Sequence, residues 1–401
     1  MRETSPYPLT TQCACMDDEG RIWMVSNMVN GLFCLDPDTG KTEYVTSFER
    51  EPLFCGSLYT KAFWYKGKVI CIPCLAKNIA FYDTVTGEIR YLPIRSEEYL
   101  VYFNAVSFAE EKVLLFPVIY SHFAYILDLN TEHYKTIQLE YGNMCKKIED
   151  MYVIGEGTYQ EKAYFVIQGT DLFFSIDLNT YKIVFHQTND HQPLFNMSTD
   201  GQYLYLFHGD GCGYDVYKDD DCISVRQLYP KEKTGDRVVP RKQLKYFSSS
   251  CVEDLVINMP MHDQPIYVFW NGSMQKIMLD WKQIKMTGAK IQAFSICLKR
   301  NRKLILLPYH SSTMVVADLF EQKVQYFNIS ICGDVLCLFM QRLAKQLPGS
   351  KQVLMEPSCP LTIYLDALRE SGQKKTSEKA SEQNRGRLIY HILWNNSGDR
   401  K

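Results

Sequence analysis

The chain has 401 residues, 46% hydrophobic and 13% aromatic, with a formal net charge of −2 at pH 7. That is ample apolar material for a large core, and the near-neutral balance gives no reason to expect nucleic acid as a partner. No apolar run of about 18 residues occurs, so no membrane span is expected, and the opening MRETSPYPLTTQ lacks the apolar stretch of a signal peptide. The chain therefore reads as cytoplasmic, with its 14 cysteines as small apolar core residues.

In chain order one pattern recurs. An apolar run is followed by an irregular stretch, a second apolar run closing on an aspartate, a turn, and a third, alternating run. The copies span 21–45, 68–92, 112–139 and 162–185, then a looser 202–228, then 265–286 and 303–329. Asp36, Asp83, Asp128 and Asp177 close the second runs of the first four, and Asp280 and Asp318 those of the last two. The fifth copy is irregular near Asp215. Each copy is read with a further strand upstream, as in FCGSLYTKAFW (54–64), FNAVSFAE (103–110) and FNMSTDG (195–201). Four strands per copy and seven copies at a period of about 47 residues are expected.

Runs such as VICIP and LILLP are apolar at every position, so these strands must be covered on both faces. The spacers have neither the length nor the period of crossover helices. Radially packed four-stranded sheets supply the cover instead. The predicted fold is all-β. Over roughly 11–330 the chain resembles the β-propeller superfamily, with seven four-stranded antiparallel blades. Its likeness to kelch, WD-type and gluconolactonase-like propellers is one of general architecture, since the Gly-Gly pair of kelch and regular W-D dipeptides are missing. The resemblance implies binding scaffolds and enzymes alike. In the D-x-x-T-G turns, Asp36 and Asp83 are expected to accept backbone N–H groups, and Gly40 and Gly87 to take positive φ.

Two regions leave the repeat. Residues 231–245, between copies five and six, carry six basic and two acidic side chains and read as a solvated insertion. The propeller is expected over 1–331 and a partly helical C-terminal extension over 332–401. There CGDVLCLFMQRLAKQL (332–347) reads as an amphipathic helix, 371–387 as a polar linker, and RLIYHILW (387–394) as an apolar end segment. That segment docks back on the propeller, binds a partner or a second copy, or stays disordered. A closing strand is not needed, because copy one has four strands of its own.

Ligand groups are sought where the copies differ most, in the loops between second and third strands. These carry Asn30, Lys77, His122, Asp171, His208, Asp210, Asn271 and His310. Cys55, Asn104 and Asn196, each after a Phe at the start of a blade, are placed where an amide can hydrogen-bond a polar ligand or tie up exposed backbone. His122, His208 and His310, with the loop aspartates, are the candidates for a His/Asp metal cluster. The histidines differ in register and belong to three separate blades, so no metal is expected. Cys13/Cys15 and Cys71/Cys74 do not make a zinc array. No G-x-S-x-G, P-loop or dinucleotide fingerprint stands in its required context, so no cofactor is expected. The leading expectation is a protein-interaction or ligand-sensing module with a protein partner or small polar ligand, the tail serving attachment or self-association. The alternative is a carbohydrate-active lyase or hydrolase with a polar site at one channel mouth.

Overall fold

In the computed structural model seven four-stranded antiparallel sheets form a closed ring. The structure describes residues 7–51, 57–94, 103–109, 111–118, 121–142, 151–155, 157–189, 191–209, 213–218, 221–227, 246–260, 263–287 and 292–332, with Val335 and Phe339. Blade one comprises Thr11–Met16, Ile22–Ser26, Leu32–Leu35 and Thr42–Thr46. Blade two comprises Tyr59–Tyr65, Lys68–Pro73, Asn78–Asp83 and Ile89–Pro93. Blades three, four, five, six and seven begin at Phe103, Val153, Leu194, Tyr246 and Phe294. Successive blades touch through their first strands or a first and a neighbouring second strand, and blade seven returns to blade one.

Burial follows position within the blade. Second strands are buried, in Leu255–Pro260 throughout and in Lys68–Pro73 from the second residue on, while fourth strands such as Ile89–Pro93 mix half-buried and exposed positions. Seven apolar cores result, one between each neighbouring pair of blades. At roughly 25 cal/mol per Å² of apolar area, burial of this kind is what holds the ring. The ring closes side by side, with Tyr7–Pro8 pairing Ser330–Ile331 across the seam between blades seven and one. No helix among the described residues is long and apolar enough to cross a membrane.

The aspartate turns are as the sequence predicts. Asp83 accepts the N–H groups of Val85 and Thr86 at 2.9 and 3.0 Å, and Asp177 those of Asn179 and Thr180 at 3.0 and 2.7 Å. The fourth residue after the aspartate has positive φ in Gly40, Gly87, Glu132, Tyr181 and Gln322 alike. In three blades a non-glycine side chain therefore bears left-handed backbone.

Blade six departs from the expectation by one strand. Its second strand is Leu255–Pro260 and its third Ile266–Trp270, so Asp280 lies beyond the fourth strand, Ser273–Ile277. Trp270 pairs Ser273 across a two-residue turn, Asn271–Gly272, with φ of +47° and +70°. That is an Asn-Gly hairpin of the primed type, which needs no aspartate. Asp215 is likewise no turn residue: it sits inside the third strand of blade five, Gly213–Lys218.

Candidate functional site

Antiparallel order fixes two faces. The start of each first strand lies beside the end of the second, as Phe103 pairs Pro117 and Phe294 pairs Pro308. The loops between second and third strands therefore share one face, here called upper, with the beginnings of the first strands. Asn30, Lys77, His122, Asp171, His208 and His310 all lie there, as do Asn104 and Asn196, which stand within the first strands rather than before them. Asn271 lies on the lower face, in the turn between third and fourth strands. Cys55 and Asp210 lie outside the described residues, as do 228–245 and 340–401.

Much of the polar set on the upper face builds the scaffold. Asn30, 1% exposed, donates through Nδ2 to the carbonyls of Phe48 and Glu51 and accepts the Phe48 N–H at 2.8 Å. Its amide thus clamps the link from blade one to blade two. The buried Glu51 carboxylate accepts the N–H groups of Lys77 and Asn78 and the Asn78 amide at 2.7 Å. The Lys77 side chain itself is exposed. Asn104 donates to the Val153 carbonyl at 2.9 Å and accepts the Gly155 N–H, joining blades three and four. Asn196 sits at a β-bulge and accepts the Met197 N–H at 2.8 Å.

Close approach at blade four explains two glycines. Its first strand is broken into Val153–Ile154 and Thr158–Tyr159. A Cβ on Gly155 would meet the Tyr164 carbonyl at 2.3 Å, and one on Gly157 would meet Thr199 Cγ2 at 2.4 Å.

His208 occupies the position that is proline in blades two, three, six and seven, opposite Leu194. Its Nε2 lies 2.9 Å from Asp215 Oδ1, with the two side chains 3% and 1% exposed. A carboxylate only accepts, so Nε2 carries the proton, and Nδ1 has no partner among the described residues. Gly213 makes room for the ring: a Cβ there would lie 2.8 Å from Nδ1. An imidazole held by a carboxylate has the geometry of a general base, yet this one is enclosed.

The exposed groups are of another kind. Asp171 accepts from Gln187 at 2.7 Å and lies 2.8 Å from His191 Nδ1. Partial burial works against the Asp171 carboxylate, but the hydrogen bonds from Gln187 and His191 outweigh it and hold its pKa below the usual range. His122 and Phe123 are exposed on blade three, Phe123 at 42%. The His310 ring lies 4.3 Å from that of Tyr309. His122, His208 and His310 do not converge, and no group of three or more His, Cys, Asp or Glu among the described residues could hold a metal ion.

The two cysteine pairs, 56 residues apart in the chain, meet in space. Cys13, Cys15 and Cys71 line the core between blades one and two, with Cys74 close to Cys13. Burial first, then the hydrogen bond to Cys71 and neighbouring thiols, pushes the Cys13 thiol well up. Burial does the same for Cys15.

On the lower face the blades are joined by charge. Glu132 of blade three, 8% exposed, pairs with Lys68 and Arg90 of blade two, and Arg90 Nη2 also donates to the Glu132 carbonyl at 2.7 Å. Lys299 of blade seven pairs with Glu253 and Asp254, which form the first turn of blade six. Asp200 accepts the Asn271 N–H at 2.8 Å and the Tyr205 hydroxyl at 2.8 Å, tying blade five to blade six.

These features define a seven-bladed β-propeller, and solved structures agree. Streptogramin B lyase matches with a TM-score of 0.55 at 10% identity, over 81% of this chain and 96% of that one. Virginiamycin B lyase from Staphylococcus aureus matches at 0.51 and 9%, over 76% and 95%. The WD40 repeats of RRP9 match at 0.53 and 8%, over 76% and 90%. At such identities the likeness is one of fold. No protein-family profile and no curated protein sequence matches the chain.

Proposed function

We propose that this propeller is a protein-recognition module working through its upper face. The observation that carries the reading is a division of labour there. Asn30, Glu51 and Asn104 are spent on loops and blade junctions. The outward groups differ from blade to blade and mix charge with apolar surface: Lys77 on blade two, His122 and Phe123 on blade three, Asp171 with His191 beside blade four. Recognition surfaces combine an apolar anchor with a charged rim in this way.

Affinity capture with the whole chain tests the proposal, comparing wild type with Lys77→Glu/Phe123→Ser and with the lower-face variant Val85→Ser/Phe320→Ser. A defined protein retained by wild type and the lower-face variant, and lost at least tenfold from the upper-face variant, supports it. Equal retention by all three overturns it.

The second reading is a lyase or hydrolase acting on a polar saccharide at the channel mouth. It rests on the His208–Asp215 pair, whose Nδ1, without a partner among the described residues, has the chemistry of a base. Turnover of a saccharide panel that vanishes in a folded His208→Gln protein would favour this reading over the first.

A further inference from the structure

The seven interblade cores finish differently at the rim of the ring. Between blades six and seven, Ile277, Val324 and Tyr326 of the outer strands close the packing. Between blades seven and one, Tyr44 and Phe327 do so, and Phe339 of the C-terminal extension lies over them. Its ring is 5.4 Å from that of Tyr44, and it is 1% exposed. Val335, one helical turn earlier, packs on the same core.

Between blades four and five the rim is open. Of the two outer strands, Ile183–Gln187 and Asp221–Gln227, only Cys222 adds an apolar side chain to that core, beside the His186 ring. Val184 pairs with Ser175 and shares its sheet face with His186, whose ring stacks on Phe173 at 4.8 Å. Phe173 in turn packs on Tyr217 of blade five at 5.3 Å, so this face looks toward blade five. Val225 pairs with Asp215, on the face of blade five that carries Tyr217. Val184 and Val225 thus project from facing sheets, 45% and 54% exposed, with Ile223 beside them at 53%. The two valines stand at the outer edges of a groove between facing sheets, over the rings of Phe173, His186 and Tyr217 and beside Ser175 and Asp215.

We propose that this groove is the docking site of the chain's own apolar end segment, RLIYHILW, residues 387–394. The seam between blades seven and one is the precedent, since there an aromatic residue from the same extension already closes a rim. The segment repeats the spacing of Val335 and Phe339 in Tyr390 and Trp394, two aromatic residues four apart. Reach is no obstacle: the 49 residues from Phe339 to Leu388 span on the order of 150 Å when extended. Charge chooses the end of the groove. Residues 371–387, leading into the segment, carry five basic and two acidic side chains, and the outer strand of blade five opens on Asp221, which two further aspartates precede in the sequence. The basic connection 231–245 follows the other end of that strand and would repel the same linker.

Amide hydrogen exchange read by mass spectrometry on the full chain tests this. In wild type, amides of 388–394 exchange at least tenfold slower than a free peptide of the same sequence. They return to the free rate in Val184→Lys/Val225→Lys, which alters half-exposed side chains and leaves protection elsewhere in the ring unchanged. In Tyr390→Ala/Trp394→Ala, the outer strands Ile183–Gln187 and Asp221–Gln227 lose protection. That reciprocal variant decides the matter if the valine variant does not fold. Exchange of 388–394 at the free rate in wild type overturns the proposal, as does protection that survives the lysine substitutions. Protection that appears only with concentration, alongside a dimer mass by light scattering, also overturns it by giving the groove to a second copy.

Discussion

Glu132 allows backbone strain and charge pairing to be separated at one position. Its carboxylate is held by Lys68 and Arg90 across the junction of blades two and three, and its backbone has φ of +54°. A hydrogen bond to a charged group contributes about 1.5–3 kcal/mol when well buried. The lysine and arginine side chains are 35% and 44% exposed, so solvent screening reduces each link to about 1 kcal/mol. Glu132→Ala should therefore cost about 2 kcal/mol and keep the left-handed strain. Glu132→Gly loses the same pairs but sheds roughly 1 kcal/mol of strain. Urea unfolding should thus order the three proteins as wild type, Gly, Ala. The pH dependence checks the charge part. Burial raises the Glu132 pKa, but Lys68 and Arg90 outweigh it and depress it overall. A depressed carboxylate stabilises fully above its unfolded value, about 4.3, and that stability is lost as pH falls through the folded value. The gap between wild type and Glu132→Gln should hold at pH 7 and close below about pH 4. Equal stability of Ala and Gly variants, or a gap that ignores pH, would refute the reasoning.

Gly157→Ala should destabilise by about 2 kcal/mol or more, because its Cβ would overlap Thr199 Cγ2, and Thr199→Ser should restore part of the loss in a double-mutant cycle. Gln322→Gly should raise stability by about 0.5–1 kcal/mol in denaturant unfolding, as φ of +54° suits glycine. Thiol labelling of the native chain should modify exposed Cys332 quickly. Cys34, pushed up to about 11 by burial, should react far more slowly, and Cys13, Cys15 and Cys297 only as fast as the ring opens. Fast labelling of Cys13 in folded protein would contradict the buried cluster.

Repetition made the ring legible. Runs such as Val69–Ile72 and Leu304–Leu307, apolar at every position, demand cover on both faces, and Asp83 with Gly87 marks the turn at the third strand's end. Reading aspartate alone as the marker failed at blade six, where Asn271-Gly272 makes the turn by backbone conformation. The 38-residue step from Asp280 to Asp318, shorter than the 45 to 49 residues between earlier aspartates, carried that signal. The upper face was harder to read. Asn30 and Asn104 look like ligand groups in a string of letters, and only their distances to Phe48 and Val153 make them braces. The meeting of Cys13 with Cys71, and the placing of Val184 and Val225 on facing sheets, depend on which blade sits beside which.

Each blade is encoded by one unbroken stretch, from Thr11–Thr46 for the first to Phe294–Asn328 for the last. No blade borrows a strand from both ends of the ring; a separate two-stranded sheet pairs Tyr7–Pro8 with Ser330–Ile331 across the seam. The ring is therefore cyclically equivalent. A gene joined at that seam and reopened at another blade boundary encodes the same order of neighbours, but its new break lacks the two-stranded latch that Tyr7–Pro8 and Ser330–Ile331 form across this one, and thermal opening should begin there.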